Sequence, residues 1–240
     1  MNREPRFILV ADTSGPYCVL ALATTTGEVI GIVVFEAHRT LSVQFFPTIE
    51  RLLIGCELRS ADIGFLGVGV GPGSFTGLRV GLTSIKTLSQ TLGIPLVAIR
   101  TLEAYRWPHR HQGFRKIVVM LPSRKDEVYI GTFCGETADD PCGMSFADAD
   151  TVIAHLSQHD LLIVSSAPPV LDGREIVTPH AIVKWPAATA LASLAANEIS
   201  AGRFLDYNAI SPAYVVPPTI SVSKKTVFSI RSTFTKPVRS

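Results

Sequence analysis

The sequence predicts an α/β protein of two lobes, and three observations support this fold class. Three runs rich in β-forming residues open the chain and are followed by alternating helical and strand-like segments. A weaker succession of the same kind begins after residues 107–114. The 240 residues are 47% hydrophobic and 18% charged, which suits two modest cores. We therefore expect a first lobe over residues 1–107, a smaller second lobe over residues 108–220 and a flexible basic tail over residues 221–240.

Apolar periodicity and turn residues define the elements of the first lobe. Strands are predicted over residues 7–10, 17–24, 29–35, 63–70 and 96–99. A first helix is predicted over residues 42–56, because apolar side chains recur there at helical spacing: Phe45, Phe46, Ile49, Leu52, Leu53 and Cys56. A second helix follows Gly73 and ends near residue 92, and a short helix is predicted over residues 101–107. In the second lobe we expect strands over residues 115–121, 127–133 and 161–165 and a helix over residues 187–201.

The composition limits which kinds of binding partner and which cellular compartment the sequence predicts for this protein. The net charge of +2 is too small to indicate a nucleic-acid or membrane surface on this chain itself. No apolar run reaches the roughly 20 residues that span a bilayer. The four cysteines form no C-x-x-C pair, so free, mostly buried thiols are expected rather than a zinc site. With no signal-peptide pattern before the first strand, we expect a cytoplasmic protein.

The most specific segment is glycine-rich and runs VGVGPGSFTGLRVG over residues 68–81, between a buried strand and a helix. Such a loop can present backbone N–H groups to a phosphate. A P-loop is excluded because Leu78 and Arg79 follow Gly77, where lysine and a hydroxyl residue would be needed. The dinucleotide fingerprint fails because Thr76 occupies a required glycine position.

The second helix carries a stripe of small residues on one face: Gly77, Gly81 and Ser84, continued by Leu88. Each interior helical glycine costs roughly 1 kcal/mol relative to alanine. A smooth face lets another helix approach closely, and a separate apolar stripe, Leu78, Leu82, Ile85 and Leu92, is available for the sheet. The pattern favours an interface with a partner; packing within a single core is the alternative.

The sequence resembles the TsaB (YeaZ) family in four segments. The segment GPGSFTGLRVG at residues 71–81 is similar to the family's signature. Three shorter segments agree with it: ADTS at 11–14, RKDEVY at 124–129 and SPAY at 211–214. The resemblance covers about residues 7–216.

The resemblance implies a two-lobed fold of the actin, sugar kinase and Hsp70 class with a degenerate second lobe. It implies a non-catalytic relative of the subunit TsaD, which pairs with TsaD through helices of the first lobe and is joined by the ATPase TsaE. Together these proteins place a threonylcarbamoyl group on N6 of adenosine 37 in tRNA, so this chain would meet tRNA only through the complex. Alone, it would self-associate as a homodimer.

The partner surface is expected on the first two helices: Phe45, Ile49, Gly73, Ser74, Phe75, Thr76, Gly77, Arg79, Gly81, Ser84 and Leu88. The chain departs from the family at two places. Leu41-Ser42-Val43 stands where His-Ser-Glu is usual, and Pro122-Ser123-Arg124 where Asp-Ala-Arg is usual. The first departure leaves open whether partner contacts of the first helix have shifted.

The sequence contains few candidate catalytic, nucleotide-binding or metal-binding residues. Asp12, Thr13 and Ser14 follow the first strand where ATPases of this class bind metal and nucleotide, which indicates a degenerate nucleotide site; a carboxylate that caps its own turn is the alternative. His155 and His159 have H-x-x-x-H spacing without an acid between them, so solvated histidines are expected. We predict no metal and no resident cofactor, and leave open whether ATP or ADP lies at the complex interface. The alternative functions are a nucleotide- or metal-dependent enzyme, such as a minimal kinase, ATPase or M22-type peptidase relative, and a homodimer without another partner.

Overall fold

A computed structural model describes residues 7–37, 40–123, 126–135, 137–138, 142–165, 178–207 and 210–212. The first lobe is built on a five-stranded sheet of order β3-β2-β1-β4-β5. The strands are β1 (Phe7–Asp12), β2 (Tyr17–Thr24), β3 (Val29–Glu36), β4 (Ile63–Gly71) and β5 (Leu96–Arg100). β1, β2 and β3 form an antiparallel meander, while β1, β4 and β5 are parallel. The carboxyl ends of β1 and β4 therefore meet at one edge of the sheet.

Helices cover both faces of this sheet. α1 (Leu41–Gly55) and α2 (Phe75–Leu92) pack on one face, around a core that includes Leu20, Phe45 and Leu66. α2 begins at Ser74, whose hydroxyl accepts a hydrogen bond from the Gly77 N–H (3.2 Å). It ends at Gly93, which adopts the left-handed conformation (φ 65°) that stops helices.

The second lobe has a mixed sheet of order β11-β10-β6-β7-β8, with β9 also paired to β7. Its strands are β6 (Lys116–Pro122), β7 (Glu127–Cys134), β8 (Thr137–Ala138), β9 (Cys142–Ser145), β10 (Asp160–Val164) and β11 (His180–Ile182). α3 (Thr101–Arg106) packs on one face through Leu102 and Tyr105. α4 (Phe146–Ala154) packs on the other face through Ala149.

The last helix, α5 (Ala188–Ser200), changes the predicted division into lobes. Sequence analysis placed it in the second lobe, but its buried residues Leu191 and Ala195 pack against Ile8 and Val19 of the first sheet. Ile210 is also buried in the first lobe, and its carbonyl oxygen accepts a hydrogen bond from Lys86 (3.0 Å). The chain therefore returns to the first lobe after building the second, because the face of β1 and β2 opposite α1 and α2 needs an apolar cover.

The strands β1 to β5 and the helices α1, α2 and α3 occur where the sequence predicts them, within a few residues at each end. In the second lobe, β6, β7, β10 and α5 are confirmed, whereas β8, β9, α4 and β11 had not been predicted. The tail at residues 221–240 and parts of the motifs at 124–129 and 211–214 lie outside the described residues.

Candidate interaction surface

The turn after β1 is closed and fully bonded within the chain. Asp12, Thr13 and Ser14 are all buried. The Asp12 carboxylate accepts hydrogen bonds from the Ser14 backbone N–H (3.0 Å), the Ser14 hydroxyl (2.6 Å) and the Thr101 hydroxyl (2.8 Å). Burial raises the pKa of Asp12 above its ordinary value, while the hydrogen bonds from Ser14 and Thr101 act in the opposite direction.

Of Asp12, Thr13 and Ser14, the residues of the predicted degenerate nucleotide site, the last two also contact the start of α2. The Thr13 hydroxyl donates to the Gly77 carbonyl oxygen (2.8 Å), and the Ser14 carbonyl oxygen accepts from the Ser74 N–H (2.6 Å). The start of α2 thus packs directly against this turn. The alternative prediction, that the Asp12 carboxylate caps its own turn, is confirmed.

The same packing corrects the predicted role of three glycines. A Cβ on Gly77 would overlap the Thr13 carbonyl oxygen, a Cβ on Gly81 would overlap the Thr13 hydroxyl, and a Cβ on Gly73 would overlap the Ser14 carbonyl oxygen. These glycines therefore let α2 approach the β1–β2 turn within one lobe. They do not form a face for a partner helix, because Gly77 and Gly81 are buried inside the chain.

The outward side of α2 is polar. Ser74, Thr76 and Arg79 are exposed, and the Arg79 guanidinium lies 3.8 Å from the centre of the Phe75 ring. Ser84 and Leu88 are half-buried, and Leu88 packs on the core shared with α1. Of the predicted partner residues on this helix, the structure thus brings Ser74, Phe75, Thr76 and Arg79 together at the surface, and places Ser84 and Leu88 at its border.

α1 exposes apolar side chains on a face that also carries Glu50; we define the apolar stripe as Val43, Phe46, Pro47 and Ile54. Their spacing places them on the side of the helix opposite its buried residues. Val43 is 73% exposed, Phe46 41% and Ile54 67%. Phe45 and Ile49, which had been predicted to contact a partner, are instead buried in the core.

Sequence analysis missed most of this stripe. Phe46 had been assigned to the apolar core face beside Phe45, but Phe45 is buried and Phe46 is 41% exposed, although their rings meet edge to face with centroids 5.8 Å apart. Val43 had been noted only as a departure from the family pattern. The available signal was a second set of apolar residues, at 43, 47 and 54, which lies out of phase with the core residues and is interrupted by Glu50.

The other candidate chemical groups lie apart from this surface. His155 and His159 are exposed, as expected, and His155 Nδ1 lies 2.6 Å from the Thr151 carbonyl oxygen. The described parts of the chain contain no group of three His, Cys, Asp or Glu side chains able to hold a metal ion. The cysteines are free, but only Cys18 is fully buried; Cys134 and Cys142 are exposed, contrary to expectation.

No helix in the described ranges is both long and apolar enough to cross a membrane.

Comparison with known proteins gives consistent matches. The family described as "TsaD: tRNA N6-adenosine threonylcarbamoyltransferase" matches residues 19–170. The tRNA threonylcarbamoyladenosine biosynthesis protein TsaB of Bacillus subtilis is 34% identical over 127 residues, which are 52% of this chain and 54% of that protein. TsaB of Haemophilus influenzae is 31% identical over 141 residues, 58% of each chain. The matches thus span little more than half the length of these relatives.

Among solved structures, YeaZ from Pseudomonas aeruginosa superimposes with a TM-score of 0.71 at 21% identity. The superposition covers 87% of this chain and 99% of that chain. This likeness shows that the chain has the fold of YeaZ, and the two mixed sheets with their helices confirm the predicted two-lobed α/β class.

Proposed function

Because the chain belongs to the family of TsaD-type tRNA N6-adenosine threonylcarbamoyltransferases, and groups there with TsaB (YeaZ) proteins, we propose that it is a non-catalytic scaffold subunit of the assembly that makes threonylcarbamoyladenosine in tRNA. It would act in the cytoplasm, pair with and activate a TsaD subunit together with TsaE, and meet tRNA through that complex. In the absence of TsaD, the same surface would hold two copies of the chain together.

The observation that carries this proposal is the apolar stripe of α1. Large aliphatic side chains on an exposed helix face lose water favourably only when something covers them, at about 25 cal/mol per Å² of buried apolar surface. Val43 and Ile54 are more than half exposed, and no described element packs over them. Glu50 lies on the same face of α1, so this surface offers a partner apolar side chains together with a charged one, a mixture that interfaces commonly contain.

The closed β1–β2 turn supports a non-catalytic role. In an ATPase of this fold class, the acid after the first strand must reach a metal or water. Here the buried Asp12 carboxylate is enclosed by Ser14, Thr101 and the backbone of β4 at Gly69. The chain would accordingly hold no resident cofactor, and a nucleotide at the complex interface would be held mainly by the partner.

Reconstituted tRNA modification tests the non-catalytic role. Asp12→Asn keeps the size of the side chain but removes its charge. We expect a mixture of TsaD, TsaE and the folded variant to form threonylcarbamoyladenosine at close to the wild-type rate, measured by mass spectrometry of digested tRNA. The control omits the chain and should lose the activity. If the folded Asp12→Asn chain associates with TsaD but modification falls by orders of magnitude, the carboxylate takes part in the chemistry and the proposal fails.

A further inference from the structure

Two stretches of the described chain pass from one lobe to the other. The first joins β5 to α3 at residues 100–101, and the second joins β11 to α5 at residues 183–187. Lobes linked in this way usually move relative to each other unless a large apolar contact joins them. The motion is absorbed by a few residues at the ends of elements, whose backbone angles must be free to change. The packing of the two connections therefore decides whether this chain has a hinge.

The first connection is held on both sides. Ile99 of β5 lies in the core of the first lobe, and Leu102 lies in the core of the second lobe only three residues later. Between them, Arg100 still pairs with β4. Thr101 is fully buried, and its hydroxyl donates to the carboxylate of the β1–β2 turn (2.8 Å). A change of backbone angles at Thr101 would break this hydrogen bond at a site closed to water, which is costly.

The helix α3 contributes to the cores of both lobes. Ala104 is fully buried among residues of β1 and β5, whereas Leu102 and Tyr105 are buried among residues of β6 and β10. At the end of the helix, the buried Arg106 guanidinium donates to the Gly135 carbonyl oxygen just after β7 (2.7 Å). Close-packed cores transmit such contacts without slack. A six-residue helix that is fixed on both sides cannot follow one lobe without leaving the other.

The Tyr105 side chain fills the boundary between the lobes. Its ring belongs to the second core, and its hydroxyl reaches the β1–β2 turn, since a Cβ built on Gly15 would lie 4.0 Å from the Tyr105 hydroxyl oxygen. Only 2% of Tyr105 is exposed. Burial, and after it the negative charge of Asp12, raises the pKa of Tyr105, which agrees with a hydroxyl near that buried carboxylate. The ring therefore stands where a cleft between the lobes would open.

The second connection is equally short. Val183 packs in the second core, and its N–H donates to the Val164 carbonyl oxygen (2.8 Å). Two residues later, the Trp185 ring contacts Tyr17 of the first lobe with centroids 4.8 Å apart. The next residue is Pro186, whose ring fixes one of its two backbone angles. This connection thus leaves little freedom for a hinge.

We propose that α3 locks the two lobes of this chain into one rigid body, with Tyr105 as the wedge between them. The chain then lacks the hinge motion that closes many two-lobed proteins around a ligand. A ligand such as Mg–ATP finds no open and closed states to choose between, so it leaves the distance between the lobes unchanged. The surface of α1 and α2 keeps a fixed orientation relative to the second lobe. The inference does not depend on the proposed function, because it concerns the isolated chain.

The distance between two spin labels, one on each lobe, tests the lock. The three cysteines that are not buried, Cys56, Cys134 and Cys142, are changed to serine. Labels are attached at Gln90→Cys on α2 and Ala154→Cys on α4, both exposed positions, and an excess of unlabelled chain suppresses signals from self-association. Pulsed electron paramagnetic resonance should give one narrow distance distribution that Mg–ATP does not change. Two maxima, or a shift on adding Mg–ATP, would overturn the proposal.

Variants of the labelled chain test the wedge. Tyr105→Ala should broaden the distance distribution about twofold, because the boundary loses its filling. Leu161→Ala truncates a side chain of the same core on β10 and should keep the parent width. Thr101→Val removes only the hydrogen bond to the β1–β2 turn, should also broaden the distribution, and decides the case if Tyr105→Ala does not fold by circular dichroism. A folded Tyr105→Ala or Thr101→Val chain as narrow as the parent, or equal broadening by Leu161→Ala, would overturn the proposal.

Discussion

At the scale of single residues, the close contact between the β1–β2 turn and α2 depends on two glycines of α2. Thr13 fits against α2 because Gly77 and Gly81 leave room for its carbonyl oxygen and hydroxyl. The Thr13 hydroxyl then satisfies the Gly77 carbonyl oxygen. The unfavourable helix propensity of each glycine, roughly 1 kcal/mol, is offset by this close contact.

Gly81→Ala should destabilise the free chain although alanine favours helices. The added methyl group would overlap the Thr13 hydroxyl, so α2 must move or Thr13 must change rotamer, at a cost of about 1 to 3 kcal/mol. Gly55→Ala in α1 is the matched control, because nothing lies within 4 Å of its Cβ position, and it should be neutral or slightly stabilising. Urea unfolding measures both. A Gly81→Ala chain as stable as the control would show that the glycine face is open.

The spacing of the glycines could be recognised in the sequence, but the surface that they contact could not be predicted from it. Periodicity shows that Gly77 and Gly81 share a face of α2, which is correct. It does not show which surface that face meets, because the contact joins residues 64 positions apart, Thr13 and Gly77. The same limit explains the wrong partner assignment of Phe45 and Ile49, since an apolar helix residue looks alike in sequence whether its neighbour is the sheet or another protein.

At the scale of elements, long periodic segments were predictable and short ones were not. α1 and α2 each contain many apolar positions in phase, so their existence was clear from the sequence. α4 has only nine residues and one buried position. It did have a start signal, since the Ser145 hydroxyl accepts from the Asp148 N–H (3.2 Å) in a serine-x-x-acid pattern. β8 and β11 are too short, at two and three residues, to show any period.

An ion pair at the start of β10 should make the second lobe sensitive to acid. Arg115 donates to both carboxylate oxygens of Asp160 (3.1 and 2.9 Å), and Ser157 adds two further hydrogen bonds. The Arg115 guanidinium lowers the pKa of Asp160 from 3.8 to about 2. Because the folded-state pKa is depressed, the stabilisation is complete above the unfolded-state pKa and is lost as the pH falls from about 4 to about 2.

Asp160→Asn should therefore be less stable than the wild type at pH 7, and the difference in unfolding free energy should shrink between pH 4 and pH 2. Arg115→Gln should reduce the same pH dependence, although its effect is moderated because the Arg115 side chain is 65% exposed to solvent. Urea unfolding at several pH values measures this. A difference between wild type and Asp160→Asn that stays constant from pH 7 to pH 2 would show that the carboxylate gains nothing from its partners.

At the scale of the whole molecule, α5 follows the second lobe in the sequence but packs on the sheet of the first lobe. The first sheet is complete only when residues 188–200 have returned to cover β1 and β2. Sequence order could not reveal this return, because α5 follows the strands of the second lobe and its apolar face shows no preference for either sheet. The Tyr17 ring also contacts Trp185 just before α5, with centroids 4.8 Å apart.

Leu191→Ala should consequently destabilise the first lobe. Leu191 is fully buried against the first sheet, and truncation of such a side chain costs about 2 to 5 kcal/mol. Hydrogen exchange should accelerate in β1 and β2 more than in β6 and β10. Thr189→Ala, at an exposed position of the same helix, serves as the control and should leave exchange unchanged. Faster exchange confined to the second sheet would mean that α5 belongs to that lobe.

Assembly with TsaD is expected to cover the apolar stripe of α1, so a charge placed in that stripe should weaken the complex. Ile54→Asp places a charge in that stripe without touching the core, and Ile182→Asp makes the same change at a 60% exposed isoleucine of the second lobe. Both chains should remain folded by circular dichroism. In a calorimetric titration against the TsaD subunit of the same organism, we predict that Ile54→Asp weakens binding by about a hundredfold while Ile182→Asp leaves the Kd unchanged. A folded Ile54→Asp chain that binds TsaD with the wild-type Kd would contradict the account.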